Sequence, residues 1–115
     1  MQESVLSVGL KLHIISRRQF PEDVCPHFAG RVCSALGPLF SAHGYRFVFD
    51  SGTSSYIKHD ARTQYFCISD SGYIITEIPQ EVDLEALVYR TVSGRLAITD
   101  DRGFSLEINE FGQSN

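Results

Sequence analysis

The sequence predicts an α+β fold: a single antiparallel sheet covered by a long helix, in the order β-α-β-β-β-β-α-β-β. Three observations predict it. Val24, Phe28, Val32, Leu36, Leu39 and Phe40 recur at helical spacing between Asp23 and His43, and Cys25, Ala29, Cys33 and Ala35 fill the same side. From Leu6 to Ile14 apolar and polar residues alternate with the period of a half-buried strand. From Tyr45 to Ile78 aromatic and β-branched runs are joined by short turns. Parallel crossovers need a dozen or more residues, so these strands read as an antiparallel meander.

The elements follow in order. In the first strand Leu6, Val8, Leu10, Leu12 and Ile14 point to the helix; Ser7, Gly9, Lys11 and His13 point to solvent or a partner. Asp23 is a cap for the helix, and Pro26 is tolerated in a first turn. The helix runs from about Val24 to Leu36, where Gly37-Pro38 kinks or ends it, and Gly44 is a stop. Strands are expected over Tyr45–Asp50, Tyr56–His59, Thr63–Ser69 and Tyr73–Ile78, with a hairpin turn at Asp70-Ser71-Gly72. Leu84, Leu87, Val88 and Val92 predict a second helix capped by Asp83 and closed by Gly94. Strands at Arg95–Thr99 and Phe104–Asn109 complete the order around the loop Asp100–Gly103. The expected organisation is one domain over residues 1–111 and a loose tail over 112–115.

A hydrophobic fraction of 43% is ordinary for a globular chain, so disorder throughout is not expected. The net charge of −4 is unevenly spread: seven Lys/Arg against five Asp/Glu in residues 1–69, three against nine in 70–115. Neutralising phosphates needs a basic surface, so nucleic-acid binding is not expected. The acidic half favours a basic partner by steering, though acidic side chains also simply solvate a surface. No apolar run approaches the roughly 20 residues that span a bilayer, and no basic run precedes an apolar one at the start. Cys25, Cys33 and Cys67 form no C-x-x-C pair and lie among apolar residues. They are expected to be buried and reduced, in keeping with a cytoplasmic protein.

Candidate chemistry is sparse. His13, His27, His43 and His59 show no metal-ligand spacing. Cys25-Pro26-His27 is the single local thiol–imidazole set; a helix start would activate Cys25, against the plainer reading that Cys25 packs in the core while His27 faces water. Cys67, His43 or His59, and Asp60 or Asp70 assemble into a triad only on paper, because triads are defined by geometry. Ser51–Ser55 could cradle an anion but reads first as a turn. There is no phosphate loop, nucleophile elbow or dinucleotide fingerprint. No catalytic residue, metal or cofactor is assigned.

The expectation for function is a non-catalytic protein-binding module, of the inhibitor, immunity or adaptor kind, that occludes a basic protein partner. Its expected surface combines Glu77, Glu81, Asp83, Glu85, Asp100 and Asp101 with Tyr56, Tyr65 and Tyr73. The alternatives are a small enzyme or ligand-binding domain with a pocket invisible in sequence, and a subunit that self-associates, for example as a homodimer through a sheet edge.

Overall fold

The structure, a computed structural model, describes residues 7–16, 26–53, 55–68 and 72–108, the side chain of Val92 excepted. Among these residues the regular secondary structure is almost wholly β. The strands are β1 (Lys11–Ser16), β2 (His27–Leu36), β3 (Leu39–Asp50), β4 (Ser55–Lys58), β5 (Arg62–Cys67), β6 (Tyr73–Ile78), β7 (Val88–Val92), β8 (Arg95–Thr99) and β9 (Ser105–Glu107). A single 3-10 turn, Leu84–Ala86, precedes β7. Two antiparallel sheets result. One runs β4-β3-β2-β1-β6, with β5 also paired to β3; the other is β7-β8-β9.

This overturns the α+β expectation. Where the long helix was expected, β2 and β3 form a hairpin. The reason is arithmetic. Phe28 and Val32 stand four apart, and four is a multiple of two as well as close to a helical turn; the bulge at Val32/Ser34 then turns Leu36 to the other side. Gly30 and Gly44, poor in a helix, sit opposite each other in the ladder. Gly37, at φ +58°, opens a two-residue hairpin loop with Pro38, so the feature read as a kink reverses the chain instead.

The second helix is also corrected. Asp83 does cap, its Oδ1 accepting the Glu85 N–H, but the turn it caps ends at Ala86. Val88-Tyr89-Arg90-Thr91-Val92 is rich in strand formers and becomes β7. Ser93 and Gly94, both at positive φ, then turn the chain into β8. Nor is the region from Tyr45 to Ile78 a simple meander. β4 pairs with Phe47–Asp50 and β5 with Leu39–Gly44, end to end along β3, while β6 crosses to β1. Leu6, Asp23, Val24, Cys25, Ser54, Ser69, Asp70, Ser71, Asn109 and the tail lie outside the described residues.

The larger sheet curls. Four inter-strand spacings would separate β5 from β6 by about 19 Å in a flat sheet. Yet Phe66 of β5 meets Tyr73 of β6 edge-on, with ring centroids 5.6 Å apart. Leu12, Ile14, Phe28, Val32, Phe40, Ala42 and Phe66 fill the enclosed concave side. Glycine permits this closeness. A Cβ on Gly30 would stand 2.5 Å from the Phe28 ring, and one on Gly44 would collide with the Ala29 carbonyl and Gly30 Cα. Leu36, expected in the core, is 80% exposed.

The smaller sheet covers the convex side. Ala29, Phe47, Ile78, Val82, Leu87 and Ile98 form this second core, with Tyr45, Tyr56 and Tyr89 against it. The face of Lys11 and His13, expected to be polar and open, is therefore roofed. Two lysines fasten the connector between the sheets. Lys11 Nζ donates to the carbonyls of Gln80 and Val82, and Lys58 Nζ to those of Glu85 and Leu87.

Candidate functional site

Three places draw polar or apolar side chains together in ways the core does not require. The first lies between the sheets. His13 of β1 and His27 of β2 are 1% and 0% exposed. The Tyr89 hydroxyl of β7 bridges them, 2.9 Å from His13 Nε2 and 2.5 Å from His27 Nδ1. One hydroxyl proton means the hydroxyl can donate to one imidazole while accepting from the other's N–H. Tyr56 stacks on His27 and Tyr89, at centroid distances of 4.9 and 4.6 Å. Burial, and then the neighbouring His27, hold the His13 imidazole far below its usual range, at about 3. It is neutral near pH 7, too weak a base for proton transfer there, and sealed from any substrate. The cluster reads as a polar latch between sheets.

The second place is an open cleft of about 250 Å³ lined by Lys11, Arg31, His43, Tyr45, Asp83 and Glu85, among others. Its floor is a row across three strands, since Lys11 pairs with Arg31 and Arg31 with His43. Its wall is the connector carrying Asp83 and Glu85. His43 Nδ1 lies 3.0 Å from Thr63 Oγ1, which sets the ring. A smaller gap of about 50 Å³, beside Ser16, Arg46 and Gln64, has room for a water or two.

The third place is apolar. At the β2–β3 hairpin tip Leu36 and Leu39 oppose each other, 80% and 57% exposed. Leu39 in turn opposes Cys67 of β5, and Tyr65, 77% exposed, lies two residues along that strand on the same side. Diagonal neighbours on adjacent strands are within reach of an aromatic ring, so the three make one corner.

The residues singled out in the sequence are distributed between these places. Glu77, Glu81, Asp83 and Glu85 are all exposed, the last three on the connector. Asp100 shapes its own hairpin, its Oδ1 accepting the N–H groups of Arg102 and Phe104. Asp101 pairs with Arg90 at 2.8 Å, and that guanidinium lowers the Asp101 carboxyl. Tyr56 belongs to the latch and Tyr73 to the concave core, leaving Tyr65 as the outward one. Cys33, expected to be buried, is exposed at a bulge in β2, and Cys67 is half-buried. His27 is buried rather than facing water, and its neighbour Cys25 lies outside the described residues. Among the described residues no three His, Cys, Asp or Glu side chains gather as a metal site, and no helix is long and apolar enough to cross a membrane. Comparison with known families, curated proteins and solved structures finds no match.

The histidine latch, the cleft and the apolar corner were not legible in the sequence. Each depends on strand register, which joins residues as distant as Lys11 and His43, or His13 and Tyr89.

Proposed function

We propose that the chain is a non-catalytic protein-binding module that occludes a basic protein partner, with Leu36, Leu39 and Tyr65 as its contact surface. The observation that carries this is the exposure of those three large side chains side by side on adjacent strands. Single exposed apolar residues are normal; contiguous ones mark interaction sites. Tyr65 supplies rigid area with a polar tip, the chemistry enriched at interface centres. The net charge of −4 and the exposed Glu77, Glu81, Asp83 and Glu85 favour a basic partner by steering its approach.

The double variant Leu36→Ser, Tyr65→Ser tests the reading. The parent chain, immobilised, should retain a basic protein from an extract of the native host, less of it as salt rises. The double variant should melt like the parent and retain none of it. Equal retention by the variant would move the contact elsewhere. Self-association of the pure parent, abolished in the variant, would make a second copy the occupant and reject the basic partner.

A further inference from the structure

We propose that the cleft over β1, β2 and β3 is a binding site for a free apolar α-amino acid, held as its zwitterion. The row Lys11–Arg31–His43 forms its floor. Like charges placed directly opposite in a sheet destabilise it. Lys11 and Arg31 are such a pair, and the Arg31 guanidinium has no hydrogen bond or ion pair with any described residue. Lys11 is committed to the connector carbonyls, so Arg31 is the available cation on the floor. Its planar fork matches a carboxylate in two parallel hydrogen bonds. His43, oriented through Nδ1 by Thr63, leaves Nε2 for the same ligand.

The opposite wall selects the rest of the ligand. Asp83 gives one oxygen to the Glu85 N–H and keeps the other, and the Glu85 carboxylate is exposed and makes no ion pair with any described residue. Lys58 lies close enough to feel both charges but spends its ammonium on backbone carbonyls. In the lining, Lys11 and Arg31 balance Asp83 and Glu85. A phosphate would meet two carboxylates, and a simple cation would meet Arg31. A ligand with an anionic and a cationic end a few bonds apart meets both walls favourably. An α-amino acid is the smallest common molecule of that kind, whereas a peptide holds its two ends too far apart. Tyr45 and Leu84 add the apolar part of the lining. The volume, about 250 Å³, lies just under the roughly 300–1,000 Å³ of drug-sized sites, as a ligand of this size requires.

Amide and side-chain NMR of the full chain tests this, titrating free leucine and free phenylalanine to millimolar concentration. The expected result is saturable shifts at Arg31, His43, Tyr45 and Glu85. N-acetyl and carboxamide derivatives should bind at least about tenfold more weakly, since even one charge-assisted hydrogen bond lost at the low end of its range has that effect. Arg31→Gln and Glu85→Gln should each remove the shifts. Both side chains are exposed, so both variants should melt like the parent. The docking variant Leu36→Ser, Tyr65→Ser should bind the amino acid unchanged, which separates this site from the contact corner. Absence of shifts with either amino acid, equal binding of the N-acetyl form, equal shifts from inorganic phosphate, or parent-like binding by Arg31→Gln would each overturn the proposal.

Discussion

Two large apolar residues of β2 show how much one residue's environment decides. Phe28 is 3% exposed on the concave side, and Leu36, eight residues on, is 80% exposed beyond the bulge at Val32/Ser34. Phe28→Ala should cost about 3–5 kcal/mol, and Leu36→Ala no more than about 0.5 kcal/mol. Equal losses in urea unfolding would show the face misassigned. Tyr89→Phe removes the hydroxyl between two buried imidazoles and should cost about 1–3 kcal/mol as those nitrogens lose a partner. His13 adds a pH dependence whose sign is fixed. Its folded pKa, about 3, lies below its unfolded value of 6.5, so between these the unfolded chain binds the extra proton. Stability from this group is full above pH 6.5 and is lost as pH falls toward 3, at up to about 1.4 kcal/mol per pH unit. In His13→Phe the slope of stability between pH 6 and 4.5 should flatten relative to the parent; an unchanged slope would assign the acid sensitivity elsewhere.

Among the elements, the β8–β9 hairpin depends on one carboxylate more than on its surface ion pairs. Asp100 Oδ1 serves two backbone N–H groups, and Asp101 takes up positive φ beside it. Asp100→Ala should lower stability by about 1–3 kcal/mol. Asp101→Asn and Arg95→Gln, which break exposed pairs, should change the melting temperature little. A larger loss in Asp101→Asn than in Asp100→Ala would contradict this ranking. The β2–β3 hairpin has its own constraint at Gly44, where a Cβ meets backbone rather than a flexible side chain. Gly44→Ala should therefore be more damaging than any change at the Gly37–Pro38 loop that keeps a residue able to take positive φ.

At the scale of the whole molecule, the two sheets are expected to unfold as one unit. Ile98 of the smaller sheet is fully buried in one cluster with Ala29 and Phe47 of the larger, the histidine latch crosses the same boundary, and both lysine straps tie the larger sheet to the connector. Neither sheet keeps its apolar face covered without the other. Native-state hydrogen exchange of β2 and β8 amides should converge on a single opening free energy. Markedly faster exchange throughout β7–β9 would mean the smaller sheet opens alone.

The sequence by itself determined the local features whose cause lies within a few residues. The bounds of β6 and β8, the loop at Asp100–Gly103, the capping by Asp83 and the core roles of Phe28, Val32 and Phe40 all follow from near neighbours. It did not determine whether Phe28–Phe40 winds or extends, because a spacing of four satisfies both periods. Only tertiary structure decides that, by offering β1 and β3 as ladder partners and a curled concave side that accepts Gly30 and Gly44. The convex face was equally undetermined. Lys11 and His13 alternate like solvent-facing residues, and nothing near them announces a second sheet whose Tyr89 arrives from 76 positions away. Burial, register and the charge of the cleft are properties of pairs of distant strands, and a pattern read along one strand at a time does not contain them.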